Sequence, residues 1–176
     1  IKVVDTKTVV EDTRNRKTYE TGIFIDIFPY DRFDDFSLVK KTYDLESFKL
    51  LSFSKHENIV YKDSVLKDII RTVCWAGLTV VSPRYFAYKI DALVKNNTVP
   101  NGKYAGLLAS KAKEQEIMDP EVFEETIEAE FEGKMYPIPK GYDAILTRLY
   151  GDYMELPPIE KQVNPHGLIV RYKEED

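Results

Sequence analysis

The run Gly22-Ile23-Phe24-Ile25-Asp26-Ile27-Phe28-Pro29 constrains this chain more than any other stretch. Alternation along a strand puts Phe24, Asp26 and Phe28 on one face and three isoleucines on the other. Apolar residues on both faces predict a central strand covered on two sides. Pro29, which cannot donate to a ladder, ends it. One carboxylate interrupts the pattern. Taking an ion out of water costs on the order of several kcal/mol even after relaxation, so Asp26 needs a proton, a basic partner or a metal ion. An ion pair to Arg or Lys, or a strand end that reaches water, meets that need without any chemistry. A carboxylate at a strand's exit that binds a divalent cation for phosphoryl transfer meets it as well.

Short β-branched runs at 1–4 and 8–11, separated by the turn Asp5-Thr6-Lys7, predict two strands ahead of this one. Helices are predicted over 36–53, from the Asp63-Ser64 cap to Leu78, and from Ser82-Pro83 to Asn96-Asn97. Asn101-Gly102 predicts a turn, and Asp119-Pro120 repeats the cap-plus-proline start ahead of Val122, Phe123 and Ile127. A hairpin turning at Glu132-Gly133 and a short helix over 142–150, stopped by Gly151, come next. A Leu156-Pro157-Pro158 loop and a polar tail close the chain. Strands, then helices, then a small β/α ending predict an α+β fold.

A length of 176 residues predicts a single domain over 1–176. Residue 1 is Ile, so a segment upstream of it is expected in the natural protein. The formal net charge of −5 argues against a nucleic-acid partner, since affinity for polyanions comes from neutralising phosphates. The single cysteine, Cys74, allows neither an internal disulfide nor a multi-cysteine zinc site, and beside Trp75 in an apolar helix it reads as core. The most apolar window, 73–81, is about half the ~18–20 residues a membrane-spanning helix needs, so no transmembrane segment is expected.

The block 22–29 resembles the "GxxIDIFP" signature of the LicD family. Tyr142-Asp143 and Leu146, with Leu149-Tyr150-Gly151-Asp152-Tyr153-Met154-Glu155-Leu156-Pro157-Pro158, resemble its C-terminal "YGDYMxLPP" block. Asp5-Thr6-Lys7-Thr8 resembles the family's "D-x-x-T" turn. The three occur in the family's order across nearly the whole chain. The family's acidic "PWDDDxD" motif has no counterpart here, and Glu160-Lys161 is followed by Gln162 where the family often has Arg. Asp34-Asp35, the acidic doublet nearby, reads as a solvated loop or a helix cap.

The resemblance implies a nucleotidyltransferase-like mixed sheet and transfer of phosphocholine, or a phospho-alditol, from a CDP-linked donor such as CDP-choline. The acceptor would be a sugar hydroxyl of a glycan such as teichoic acid or lipopolysaccharide, held on a lipid carrier. It implies Mg²⁺ or Mn²⁺ as cofactor and a cytoplasmic location at the inner face of the membrane. Asp26 maps onto a metal carboxylate or general base, with partner carboxylates upstream. Tyr150, Asp152 and Tyr153 become candidates for substrate binding, because aromatic rings attract quaternary ammonium groups. Lys7 and Thr8 could reach a phosphate from the first turn. Each also has an ordinary reading as a turn or helix-end residue. His56 reads as solvated, and His166 follows the Pro-Pro loop. A family member that binds nucleotide or glycan without turnover is the alternative.

Overall fold

A computed structural model describes residues 2–12, 15–16, 20–162 and 168–172. The chain groups into two compact units: Ile1–Phe28, Leu45–Lys89 and Gln162–Asp176 form the first, and Pro29–Asp44 and Ile90–Lys161 the second. The elements in order are β1 (Lys2–Val4), β2 (Thr8–Asp12), β3 (Glu20–Thr21), β4 (Phe24–Asp26), β5 (Asp31–Phe33) and α1 (Ser37–Phe53). Then follow α2 (Val65–Leu78), α3 (Pro83–Asn97), β6 (Tyr104–Gly106), β7 (Ile117–Met118), β8 (Thr126–Phe131), β9 (Lys134–Pro139), α4 (Tyr142–Tyr150) and β10 (Leu168–Tyr172). The fold is mixed α+β, as expected, with small antiparallel sheets.

In the first unit β2 lies between β10 and β3, and β1 pairs with β4. The strand covered on both faces is therefore β2, where Thr8, Val9 and Val10 are all buried. This corrects the expectation for residues 23–28. Among the described residues β4 pairs with β1 alone, and Ile25 at its middle is 71% exposed. The apolar residues on both faces of that run are real, but the coverage they suggest is absent here. The tail is not all polar loop either, since β10 runs antiparallel to β2 from Leu168↔Asp12 to Tyr172↔Thr8.

The turn between β1 and β2 is built from the residues the family resemblance singles out. Asp5 accepts the Lys7 amide on Oδ1 at 2.9 Å, the local turn that Asp favours. The Thr8 hydroxyl donates to the Asp5 carbonyl at 3.1 Å and accepts the Ile23 amide at 2.7 Å. Asp5 N–H donates to the Ile23 carbonyl at 2.7 Å. A Cβ on Gly22 would fall 1.7 Å from the Asp5 carbonyl oxygen, so only glycine permits this approach.

The second unit has an apolar core of Phe33, Leu38, Val39, Leu108 and Ile117, flanked by Leu93, Val94 and Tyr104. Its three-stranded sheet runs β5-β6-β7, with Asp31↔Gly106 and Gly106↔Ile117 in one row. The hairpin β8–β9 turns at Glu132 and Gly133, both at positive φ, as a two-residue hairpin turn requires. Asp119 does cap, accepting the Glu121 amide at 3.1 Å, but the helix stops after a single 3₁₀ turn, Pro120–Phe123. Ile127 belongs to β8 instead, because residues 126–131 are taken up by pairing with β9.

Candidate functional site

In the first unit, the antiparallel register sets Lys2 directly opposite Asp26. Lys2 Nζ lies 3.7 Å from Asp26 Oδ1 and 3.2 Å from the centroid of the Phe24 ring. The carboxylate thus has a basic partner and a side chain that is one-third exposed. Both ordinary ways of satisfying it are present, a cross-strand ion pair and a strand end that reaches water. A divalent ion would demand more. Mg²⁺ takes near-octahedral oxygen coordination, and among the described residues no three His, Cys, Asp or Glu side chains gather. Asp26 with an ammonium beside it is short of the donors such an ion takes.

Thr8 is 2% exposed, and its hydroxyl is engaged within the turn. Lys7 is exposed at the same turn, its amide held by Asp5. These two residues and Asp26 lie in the first unit, and Tyr150, Asp152 and Tyr153 in the second. Asp35 caps α1, accepting the Ser37 amide at 2.9 Å and the Ser37 hydroxyl at 2.7 Å, so the acidic doublet includes a cap. His56 Nε2 lies 2.9 Å from the Thr72 hydroxyl, so this exposed ring is also tied to α2. Cys74 is exposed rather than core, because α2 turns its apolar side outward. His166 lies outside the described residues.

In the second unit the sheet register brings together residues that no sequence motif connects. Asp31 and Ile117 share a row across β5-β6-β7, so Tyr30 and Glu116, each one residue earlier, meet at the same end. Their backbones are two strand spacings apart, roughly 10 Å, close enough for long side chains to approach. Glu116 Oε2 is buried and has no hydrogen-bond partner among the described residues. The Tyr30 phenol is pushed up from its ordinary value by burial first, then by the Glu116 carboxylate and the Tyr150 phenol. Its ring packs on Phe123 at 4.7 Å between centroids.

Tyr150 is held beside this cluster by a reciprocal clasp. Arg148 donates from Nε to the Gln115 carbonyl at 2.9 Å and from Nη2 to the Glu114 carbonyl at 2.8 Å. Gln115 Nε2 returns two bonds, to the Arg148 and Leu149 carbonyls at 3.1 and 2.8 Å. These bonds satisfy carbonyls that the C-terminus of α4 leaves open, while Gly151 at φ 73° turns the chain away. Tyr153 is spent differently. Its hydroxyl donates to Asp143 Oδ1 at 2.8 Å, and that bond raises its pKa. Asp152 is exposed in the same loop.

A buried carboxylate oxygen near two phenols and a phenyl ring suits a soft organic cation. The rings offer π faces and the carboxylate supplies charge. Tyr30 and Glu116 carry no motif of their own. The signal that finds them is the register of three strands, none longer than three residues.

The chain is similar to the lipopolysaccharide cholinephosphotransferase LicD of Haemophilus influenzae, with 29% identity over 178 residues. The alignment covers 97% of this chain and 63% of that protein, so the chain spans about three-fifths of its relative's length. No family model matches the chain, and no solved structure does. Two of the three blocks that resemble the LicD family knit the turn that seats β4, and the third ends in the clasped helix and loop.

Proposed function

We propose that the chain is the larger part of an enzyme that transfers phosphocholine from CDP-choline to a sugar hydroxyl of lipopolysaccharide. The observation that supports this most is the cluster of Tyr30, Tyr150 and Glu116, whose rings and carboxylate oxygen, without a hydrogen-bond partner among the described residues, suit a quaternary ammonium. In the reaction, the acceptor oxygen forms a bond to the phosphorus that carries choline. The bond from that phosphorus to CMP breaks, and CMP leaves with the electron pair. Within the first unit, Asp26 is the candidate general base for the hydroxyl proton, and Lys7, exposed at the turn fixed by Asp5 and Thr8, the candidate contact for a phosphate. Within the second, Asp152 and Tyr153 shape the loop after Tyr150. The nucleotidyltransferase-like sheet, CDP-ribitol or CDP-glycerol as donors, teichoic acid as acceptor and a cytoplasmic setting belong to the same reading, and a Mg²⁺ or Mn²⁺ cofactor would need donors beyond Asp26. No helix among the described residues is long and apolar enough to cross a membrane.

The second reading is a family member that binds donor or glycan without turnover. The pairing of Asp26 with Lys2, and the lack of a gathered acidic cluster among the described residues, favour it.

Steady-state transfer by the full-length protein separates the two. Asp26→Asn should lower the rate by about 10²–10⁴-fold, the usual worth of a positioned acid–base group. Glu116→Gln and Tyr150→Ala should raise KM for CDP-choline about tenfold while leaving KM for CDP-glycerol in place. Full activity of Asp26→Asn would remove its role, and unchanged KM values would remove the head-group site. A rise in melting temperature with CDP-choline, with or without Mg²⁺, but without turnover would establish the binding reading.

A further inference from the structure

Helix α2 is built inside out. Its inward side is polar: Asp68 accepts the amides of Tyr61 and Lys62 at 3.2 and 3.0 Å. Arg71 bonds Asp63 and Asp68, each at 2.7 Å, and its guanidinium lies 4.5 Å from the Tyr61 ring centroid. Thr72 meets His56, and Trp75 Nε1 donates to the Ser54 carbonyl at 2.9 Å. On the opposite face, Leu66, Ile69, Ile70, Val73, Gly77 and, just past the helix, Val80 form a single stripe. That stripe faces solvent, with Leu66 68%, Val73 66% and Val80 88% exposed. An apolar face of this size is far from the scattered single residues that need no explanation.

Charge indicates what covers it. Residues 61–90 carry Lys62, Lys67, Arg71, Arg84 and Lys89 against only Asp63 and Asp68, in a chain whose net charge is −5. Both aspartates are engaged by Arg71, and Lys67 lies 3.5 Å from Asp63. Past one end of the stripe stand exposed Arg84, Tyr85, Tyr88 and Lys89, while Tyr61 and Lys62 at the other end, though exposed, are tied to the polar side through Arg71 and Asp68. Tyrosines and basic residues flanking an apolar helix face are the pattern of an element lying in a bilayer interface. The rings sit at the headgroup level and the cations meet anionic lipid. A second copy fits less well, because an isologous contact would bring the same cationic flanks together. A 14-residue helix is also too short to span a bilayer.

We propose that the α2 face docks in plane on an anionic lipid bilayer. This does not rest on the transfer reading, and its test reads no activity. Wild-type protein is sedimented with vesicles of phosphatidylcholine plus phosphatidylglycerol, and with phosphatidylcholine alone. A fluorophore sensitive to polarity, on the exposed native Cys74, reports the local environment of α2. Binding is expected to the mixed vesicles, with a blue shift at Cys74, and to weaken as salt rises. Ile70→Asp with Val73→Asp should lower the bound fraction about tenfold or more, with the far-UV spectrum unchanged. Lys67→Glu with Arg84→Glu should lower it on the mixed vesicles alone. Wild type left in the supernatant of both, or the Ile70→Asp/Val73→Asp variant binding as well as wild type, would overturn the proposal. So would a concentration-dependent dimer, abolished by Val73→Asp, in protein that ignores vesicles.

Discussion

The two units are held together by different forces. The second is organised around buried apolar side chains, with Phe33 completely enclosed among Leu38, Val39, Leu108 and Ile117. In the first, hydrogen bonds hold most of the candidate positions. Thr8 and Asp5 fix the turn, the polar side of α2 faces inward, and much of the apolar surface of β4 and α2 is exposed. The difference shows which candidate residues can be trusted to stay in place. Tyr150 is set by a four-bond clasp beside Glu116, at the edge of a packed sheet. Asp26 ends a two-stranded ribbon and answers to one lysine.

The largest expected effect tests that contrast directly. Phe33→Ala should cost about 3–5 kcal/mol, the usual loss for a fully buried phenylalanine that leaves a cavity. Ile25→Ala, on the exposed ribbon, should stay within about 0.5 kcal/mol. Urea unfolding followed by circular dichroism checks both. If the two substitutions cost the same, the units do not differ in the way their burial indicates.

An intermediate effect comes from the turn. Thr8→Val keeps the shape of the side chain but leaves the Ile23 amide without its acceptor, which should cost about 1–3 kcal/mol. The comparison is Tyr153→Phe in the second unit, which removes an exposed hydroxyl bond to Asp143 and should cost about 0.5–1 kcal/mol. Equal losses at the two sites would mean that the Thr8 hydroxyl does not organise the β4 approach.

Much of the local structure was legible because single residues carry it. Ser82-Pro83 starts α3, Glu132-Gly133 turns the hairpin, and Gly151 ends α4 where predicted. Failures arose where the answer depends on what covers an element. The apolar period of α2 tells which residues share a face but not which way that face points, so a core position for Cys74 does not follow from it. In the same way, apolar residues on both sides of 23–28 could not reveal that β4 has only β1 for a partner among the described residues. Asp119-Pro120 is a real helix start overruled by the strand pairing that begins at Thr126, three residues past the end of the 3₁₀ turn. Tyr30 and Glu116 were invisible for a different reason. Strands of two or three residues are too short to show alternation, and their shared row exists only once the sheet has formed.

The smallest effect probes the polar side of α2, where a network stands in place of a core. Arg71 holds the Asp63 carboxyl down to about 2, chiefly by hydrogen bonding and secondarily through its charge. A folded-state value below the ordinary 3.8 means that this interaction is fully present above that value. It is lost as pH falls through about 2, so acid loosens the anchor of the helix N-terminus while neutral pH leaves it intact. The pair is exposed, so salt should weaken it and its contribution to global stability should be small. Carboxyl NMR titration of Asp63 should show the depressed value in the wild type and a return toward 3.8 in Arg71→Gln. An ordinary titration in the wild type would mean that Asp63 is not what keeps Arg71 turned inward. The inverted face of α2 would then have to be explained by Trp75 and Thr72 alone.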